Sequence, residues 1–516
     1  MDSSLRRQKQ IEKSVQKAID AQVASIKAIR NLLAIFCVLT FLGFPGNLKL
    51  LIGGAMSSLI EYISFGVQFM LIMFASSNDV MNIKLVNLQP AYWIPYVFVL
   101  YVTVDSLAMA SDKKTVIITL VHLFLTVMFA IWLIEQYDME ELMTIFYIAQ
   151  LIYVVICLVG MVAFSRVVFF NYQGAKTFRG LYGSKNECGT QLSLGILVQC
   201  ILFRILLKKK KRVSIVFLGL FAAQFFLMLL TKAAGSIVIT MAFIGYIILY
   251  GIQKKKFRLP LGLLLVVVSF GFLFFALTVL QMLAPFLESI GKDASLTGRV
   301  PIWERAIYVM QQSHTLTGYG LEMFWKTSEP VKLFKAGFDK YSWAATTATN
   351  THNTTIEIWC NLGLIGGALY FIMFLAADKG VKYLEENQYL FCSSYLVMFI
   401  VRGLTERQTA PGTVYVMVAY VALAMMYQAK YRHRIGKYKK ARGYKEDDGR
   451  EQFKKEPTDG YGLEAFQKQF SNMADKRFTE RRLPPRTSRI AKQEEEEDQV
   501  NKLEQLLMEF DDDQNE

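Results

Sequence analysis

His352 is a candidate general base, because it stands where a long polar segment meets an apolar run of the chain. A neutral imidazole takes a proton from a hydroxyl group at physiological pH. The alternative is a capping or packing role, since the next residues, Asn353 and Thr354, are types that begin helices. Glu357, about one helical turn further on, would either orient the imidazole ring or lie at the membrane interface.

Two arginines lie beside glycines in polar segments: Arg179 precedes Gly180, and Arg299 follows Gly298. A planar guanidinium held on a glycine turn forks onto two phosphate oxygens. Both segments are predicted to lie on the outer face of a membrane, where topology does not require cations. Arg179 and Arg299 are therefore candidate ligands of a diphosphate, whereas we interpret the lysines of these segments as solvated loop surface.

Ionisable residues within or beside the apolar runs are few, and in hydrocarbon such residues are functional candidates. They are Glu61, Asp105, Glu357, Arg402, Glu406 and Arg407. Arg402 and Glu406 have the i, i+4 spacing of a helical ion pair. A salt bridge that fixes the helix end and a catalytic role both stay open for this pair.

The composition predicts the kind of fold that must position these residues. The 516-residue chain is 53% hydrophobic and only 19% charged, and its long apolar runs favour membrane-spanning helices over strands. The predicted fold class is an all-α polytopic membrane protein with about 12 transmembrane helices and a large extracytoplasmic loop. We interpret the net charge of +14 as Lys and Arg clusters between spans, not as a nucleic-acid surface.

The apolar runs divide the chain into domains. Predicted spans are residues 31–45, 50–75, 91–109, 115–134, 141–164, 189–207, 213–231, 234–252, 259–283, 354–376, 388–404 and 412–428. The basic runs at 208–212 and 254–258 are predicted to be cytoplasmic, which places 165–188 and 284–353 outside and both termini inside. The domains are thus a cytoplasmic arm 1–30, helices 1–9 in 31–283, the large loop 284–353, helices 10–12 in 354–428, and a tail 429–516.

The tail is highly charged and is predicted to be disordered. We interpret it as solvated, with basic residues that touch anionic membrane lipid; a helix over 499–510 that docks a partner is the alternative. Six cysteines without C-x-x-C spacing, and no nucleotide-binding motif, predict no metal site and no cofactor.

Four collinear motifs resemble those of the O-antigen ligase and O-antigen polymerase superfamily of bacterial membrane glycosyltransferases. They are Gly180-x-x-x-x-Lys185-Asn186-x-x-Gly189, Gly298-Arg299 with Trp303, His352-Asn353-x-x-Ile356 with Gly363, and the weaker Arg402-Gly-Leu-Thr-Glu406. Two features depart from the pattern: Leu is more usual than Ile356, and many relatives have Ser-Arg where this chain has Thr231 and Lys232.

The resemblance implies a fold like that of the type C membrane glycosyltransferases and a metal-independent transfer of glycan from a polyprenyl-diphosphate donor to a glycan acceptor. His352 would activate the acceptor hydroxyl, and Arg299 and Arg179 would bind the diphosphate. The supporting candidates are Asn353, Lys185, Asn186, Glu357, Arg402 and Glu406.

On this resemblance we expect a polymerase of lipid-linked O-antigen, capsule or exopolysaccharide repeat units in the bacterial plasma membrane. Other polysaccharide assembly proteins are candidate partners of the tail. A ligase that uses another acceptor is the alternative, and a flippase of lipid-linked glycans is the rival from another class. Many transporters contain two similar halves, and no such repeat is visible in this sequence, which argues against the flippase. A purely structural scaffold would leave the histidine and arginines unexplained.

Overall fold

The computed structural model describes residues 2–43, 52–74, 90–172, 175–253, 258–289, 295–296, 298–339 and 348–441. In these ranges the chain is almost entirely helical, as the apolar runs predict. Contacts divide the chain into a unit of Met1–Gly436 and a unit of Lys437–Glu516, and the second is described only as far as Ala441.

Fifteen helices are labelled here in chain order. They are α1 (Asp2–Phe41), α2 (Gly54–Phe74), α3 (Trp93–Met109), α4 (Lys113–Gln136), α5 (Met139–Ala163), α6 (Lys185–Lys208), α7 (Ile215–Thr231), α8 (Ala234–Ile252), α9 (Leu261–Met282), α10 (Ala284–Ser289), α11 (Arg299–Gln312), α12 (Ser328–Lys335), α13 (Thr354–Val381), α14 (Glu386–Gly403) and α15 (Val414–Ala441). Single turns occupy Pro90–Tyr92 and Ser165–Val168, and an antiparallel hairpin pairs β1 (Phe169–Tyr172) with β2 (Ala175–Phe178).

Nine helices of the described ranges are long and apolar enough to cross a membrane. They are α1 from Asp20, α2, α3 with its preceding turn, α4, α5, α6, α8, α9 and α13. Each of the twelve predicted spans contains a helix. Three of these helices are not among the nine: α7, which is apolar but shorter than the nine, and α14 and α15. The polytopic helical class is confirmed, and the number of twelve is not.

The helix boundaries differ from the predicted spans at both ends of the chain. The arm 1–30 and the first span share the single helix α1, and α15 continues to Ala441, past the predicted end at 428. Two predictions fall outside the described residues: the turn or kink that Phe44-Pro45-Gly46-Asn47 indicates, and the alternative helix over 499–510. The predicted loop 284–353 contains α10, α11 and α12.

Polar side chains at the ends of apolar runs decide where five helices begin. In each case the side-chain oxygen accepts a hydrogen bond from a main-chain N–H three residues later, at 2.8 to 3.2 Å. These caps are Asp112, Asp138, Ser184, Ser214 and Asn353. A cap satisfies one of the N–H groups that have no partner in the first turn.

A break in α13 at Gly363 lets a neighbouring segment dock into the helix. Gly363 has φ +66° and ψ −171°, so the helix is kinked there. The segment 315–320 supplies partners for the opened backbone: Leu364 N–H donates to Thr315 O at 3.0 Å, and Gly320 N–H donates to Asn361 O at 2.8 Å. Backbone groups freed by a kink at membrane depth need such partners. The kink therefore fixes the predicted outer loop against α13.

Candidate active site

The carboxylate of Glu406 joins residues from four separate parts of the chain. Its Oε2 lies 3.2 Å from Nδ1 of His352, and its Oε1 accepts hydrogen bonds from Arg299 Nη2 at 3.2 Å and Asn186 Nδ2 at 3.1 Å. Arg402 donates from Nη2 to the main-chain oxygen of Asn186 at 3.1 Å. We call Glu406, His352, Arg299, Asn186 and Arg402 the Glu406 cluster. It contains members of all four sequence motifs.

His352 is held at the entrance to α13 by its neighbours on both sides. Its main-chain N–H donates to Asn350 Oδ1 at 2.8 Å, and its φ of +52° is a left-handed conformation that costs free energy for a residue other than glycine. Asn353 caps α13 and donates from Nδ2 to Leu404 O at 3.0 Å. The strained conformation is thus imposed by a capped helix that is tied to the segment carrying Glu406.

A buried tryptophan connects the Arg299 helix to the His352 segment. Gly298, with φ +78°, begins α11 in a conformation that glycine adopts without strain, and Arg299 is the first residue of the helix. One turn later Trp303 is fully buried, and its Nε1–H donates to Thr351 O at 2.8 Å. Arg299 Nε donates to Thr405 O at 3.1 Å. The Gly-Arg…Trp motif therefore positions a guanidinium beside His352 and Glu406.

The charges around Glu406 favour its ionised form. Burial alone would raise the pKa of the Glu406 carboxyl. The hydrogen bond with His352 and the positive charges of Arg402 and Arg299 outweigh burial, so the pKa of Glu406 lies below its usual value. The side chains of His352 and Glu406 are 27% and 19% exposed, which leaves the cluster accessible to a ligand.

A second charged group lies directly behind the His352 segment. Arg407 Nη1 pairs with Glu322 Oε2 at 2.5 Å and lies 3.9 Å from Oε1 of the fully buried Glu357. Glu357 also accepts hydrogen bonds from Thr351 N–H at 2.8 Å and from Trp325 Nε1 at 3.1 Å. Burial would lower the pKa of Arg407, but the two carboxylates raise it. Arg407 thus stays charged beside Glu357, and Glu357 holds Thr351, the residue that precedes His352.

The structure separates the predicted roles of the two carboxylates. One of the two roles considered for Glu357 was to orient the His352 ring. Glu406 contacts this ring instead, while Glu357 accepts a hydrogen bond from the Thr351 N–H. The salt bridge considered for Arg402 and Glu406 is not formed: Glu406 N–H donates to Arg402 O, and the two side chains take other partners. Helical spacing did not bring them together because α14 ends at Gly403.

Arg179 directly follows β2, and Lys185 lies six residues further on. Arg179 donates from Nε to Val167 O at 3.0 Å, and its guanidinium lies 5.4 Å from the Phe170 ring centre. These partners belong to the hairpin region and not to the Glu406 cluster. Lys185 is the first residue of α6, next to Asn186. Of the two predicted diphosphate ligands, the structure brings only Arg299 to His352.

Glu322 and Trp325 are parts of the site that the sequence analysis did not identify. Glu322 has φ +61° and follows two glycines with positive φ, Gly318 and Gly320. A charged residue after a pair of closely spaced glycines is the sequence signal of a tight turn that could have drawn attention to it. Its pairing with Arg407 connects residues 85 positions apart, which no local pattern predicts.

The helices and the Glu406 cluster define a multi-pass helical membrane protein with a charged site at the start of α13. Residues 218–371, which include Arg299 and His352, match the family model described as O-antigen ligase. The exopolysaccharide production protein ExoQ of Rhizobium meliloti (strain 1021) is 28% identical over 214 residues, which are 40% of this chain and 47% of ExoQ. The chain thus spans about half the length of the curated relative it matches.

These two matches support the resemblance to the O-antigen ligase and polymerase superfamily that the motifs indicate.

Proposed function

We propose that the protein is a membrane glycosyltransferase that polymerises lipid-linked polysaccharide repeat units. The observation that carries the proposal is the bridge by Glu406 from His352 Nδ1 to Arg299 Nη2. Glycosyl transfer from a diphosphate needs a base for the acceptor hydroxyl and positive charge for the leaving group. The bridge holds one group of each kind within reach of a single carboxylate.

In the proposed reaction the acceptor hydroxyl oxygen attacks the anomeric carbon of the donor glycan. Its proton passes to His352 Nε2, while Glu406 faces the opposite ring nitrogen and balances the charge of the imidazolium that forms. The bond from the anomeric carbon to the diphosphate oxygen breaks, and the electron pair leaves with the polyprenyl diphosphate. Arg299 stabilises that negative charge, and a single in-line displacement inverts the anomeric configuration.

The other members of the Glu406 cluster hold the reacting side chains in position. Asn186 shares Oε1 of Glu406 with Arg299, and the buried Arg402 holds the main-chain oxygen of Asn186. Asn353 ties the His352 segment to the segment that carries Glu406. We propose that Arg179 and Lys185 meet a more distant part of the donor, since Lys185 begins α6 beside Asn186 and Arg179 lies six residues before it.

ExoQ is named an exopolysaccharide production protein, which fits a polymerase of polysaccharide units, and the description of the matched family gives a ligase as the second candidate. Both use a lipid-linked glycan donor and differ in the acceptor. We place the reaction at the outer face of the bacterial plasma membrane, with both termini cytoplasmic. The basic clusters at 208–212 and 254–258 support this orientation. The charge of Arg299 serves the leaving group without a metal ion.

The test is the length of lipid-linked glycans in cells that carry His352→Ala at normal expression. A polymerase defect leaves single repeat units on the lipid, and a ligase defect leaves full-length glycans there. His314→Ala is the matched control, because His314 is exposed and has a similar left-handed φ of +57° but lies outside the Glu406 cluster. Normal polymer from His352→Ala would refute the proposed function.

A further inference from the structure

A second polar group of side chains lies within the helix layer, between α1, α2, α4 and the segment before α15. It surrounds a cavity of about 150 Å³. The lining residues used below are Phe41, Glu61, Ser64, Phe65, Gln68 and His122. Polar and charged groups at this depth are costly to bury, so their presence calls for a binding role.

The polar side chains around this cavity include acceptor oxygens that can take further hydrogen bonds. Glu61 Oε1 lies 3.4 Å from His122 Nε2, and Ser64 Oγ donates to Glu61 O at 2.9 Å. Gln68 donates from Nε2 to Ser64 Oγ at 3.4 Å. The carbonyl oxygen Oε1 of Gln68 is buried and has no hydrogen-bond partner among the residues that the structure describes, while the Gln68 residue is 2% exposed. A buried acceptor without a partner costs free energy that a ligand would recover.

The free hydrogen-bonding capacity determines the chemistry of the ligand. Gln68 Oε1 and the carboxylate of Glu61 accept hydrogen bonds, so the ligand must donate them. A phosphate is disfavoured, because Glu61 would repel it. The rings of Phe41 and Phe65 line the same cavity and offer apolar faces. A neutral sugar ring has both properties, with hydroxyl donors around its edge and C–H groups on its face.

The size of the cavity agrees with one sugar ring. A cavity of about 150 Å³ holds about five water molecules at roughly 30 Å³ each, or one six-membered ring of the size of benzene. Single ordered waters would fill far less of it. The ligand is therefore one unit of a chain that enters the cavity, not a single water.

The segment before α15 connects this cavity to the Glu406 cluster. Gly412 lines the cavity with φ +79°, and a Cβ on it would lie 2.3 Å from Nδ1 of His122. Gly412 lies six positions after Glu406 in the chain, which is a reach of roughly 20 Å at most. Gly412 N–H donates to Thr126 Oγ1 at 3.0 Å, which fixes the segment against α4. A glycan chain lying on this segment would contact both places.

We propose that the Glu61–Gln68–His122 cavity binds one neutral sugar unit of the acceptor glycan. The inference rests on the proposed function, because it gives the acceptor of that reaction a binding place. Gln68 Oε1 and the Glu61 carboxylate accept its hydroxyl groups, and Phe65 packs on its apolar face. Through the segment 406–412, occupancy of the cavity positions the acceptor end near His352.

The test is saturation-transfer-difference NMR on the purified full-length chain in detergent. The probe is a repeat-unit oligosaccharide released by partial hydrolysis from the producing strain's own surface polysaccharide. We expect wild type to bind it and Gln68→Leu to weaken Kd about fivefold, the ratio that one hydrogen bond of ordinary strength gives. Ser64→Ala, which removes the partner of Gln68, should weaken binding in the same direction.

Gln150→Leu is the matched control. Gln150 is also a buried glutamine with an Oε1 that lacks a partner among the described residues, but it is not part of the cavity lining. Equal binding by Gln68→Leu and Gln150→Leu, or no binding by wild type, would overturn the proposal. A sodium ion that displaces the oligosaccharide at low millimolar concentration would also overturn it, in favour of a cation site.

His352→Ala separates this proposal from the proposed function. We expect His352→Ala to bind the oligosaccharide like wild type while its polymer is lost. If Gln68→Leu weakens oligosaccharide binding while His352→Ala still makes normal polymer, the sugar-binding cavity is supported and the polymerase function is refuted. Loss of polymer in His352→Ala, together with oligosaccharide binding that Gln68→Leu does not weaken, would support the polymerase and refute the cavity proposal.

Discussion

Glu406→Gln tests the role of the carboxylate with the smallest change in shape. The amide keeps the size of the side chain and one oxygen, but it removes the negative charge that faces His352 Nδ1 and Arg299 Nη2 at 3.2 Å. A hydrogen bond to a charged group contributes about 1.5–3 kcal/mol. The side chains of His352, Arg299 and Glu406 are all less than a third exposed, so water screens this interaction only in part.

This free energy translates into a rate. If the bond to Glu406 stabilises the imidazolium that forms when His352 takes the acceptor proton, its loss slows transfer by about 10- to 150-fold. Removal of the imidazole itself in His352→Ala should cost about 100- to 10,000-fold. The assay is the initial rate of polymer formation in membrane vesicles supplied with lipid-linked repeat units, normalised to the amount of protein.

The lowered pKa of Glu406 adds a dependence on pH. A carboxyl whose pKa is lower in the folded protein stabilises the fold above its unfolded pKa, about 4.3 for Glu, and this contribution is lost as the pH falls through the folded pKa. Wild type should therefore lose thermal stability below about pH 4.3. Glu406→Gln should begin less stable at neutral pH and lose less on acidification.

Glu304→Gln is the control for the charge change, because Glu304 is an exposed carboxylate on the same helix as Arg299. We expect it to retain the wild-type rate and pH dependence. A rate for Glu406→Gln within twofold of wild type, beside an inactive His352→Ala, would refute the role of Glu406 in the reaction.

Three further changes test how the site is held in place. Trp303→Phe removes the donor to Thr351 O and should lower the unfolding free energy by about 1 kcal/mol, seen as a reduced Tm, and lower activity per folded molecule. Gly363→Ala should reduce the amount of folded protein in membranes, because its Cβ would lie 2.1 Å from Leu316 O, whereas Gly367→Ala should be neutral. Arg407→Met leaves the buried Glu357 and the half-buried Glu322 without their shared cation and should lower the unfolding free energy by roughly 2–4 kcal/mol, measured by thermal unfolding in detergent.

Each of these expectations has an outcome that contradicts it. A Trp303→Phe protein with unchanged Tm and rate would show that α11 does not position the His352 segment. Equal amounts of Gly363→Ala and Gly367→Ala in membranes would contradict the close docking at the kink. An Arg407→Met protein as stable as wild type would mean that Glu322 and Glu357 do not need their shared cation.

The helices could be predicted because continuous apolar runs determine them. α4 and α5 begin after Asp112 and Asp138, which are the capping residues that the sequence places at the ends of these runs. The number of spans was less predictable. α14 carries Glu386 at its start and Arg402 near its end, so its share of apolar residues does not distinguish a span from a helix buried by its neighbours.

The candidate site was predictable in its members and not in its contacts. His352 and Arg299 were found through residue type and motif, and the structure places both against Glu406. The choice between Glu357 and Glu406 as the partner of His352 depends on how α13 meets the segment after α14. That arrangement joins residues 54 positions apart, and neither helical spacing nor capping preference contains it.

The sequence predicts a loop between α9 and α13 because this long segment is polar and lies between two apolar spans. The structure finds α10, α11 and α12 there. Phe334 on α12 and Trp303 on α11 are both fully buried and belong to one cluster of apolar residues. Short helices of this kind gain their stability from such packing, which a local pattern does not show.

The most direct test of the central claim is the release of polyprenyl diphosphate by the purified chain in liposomes that contain the lipid-linked repeat unit. The account predicts one polyprenyl diphosphate for each glycosidic bond formed by wild type and by His314→Ala, and neither product from His352→Ala. Release by His352→Ala at the wild-type rate would contradict the role of the Glu406 cluster. Movement of the intact lipid-linked glycan across the bilayer without any release would contradict glycosyl transfer itself.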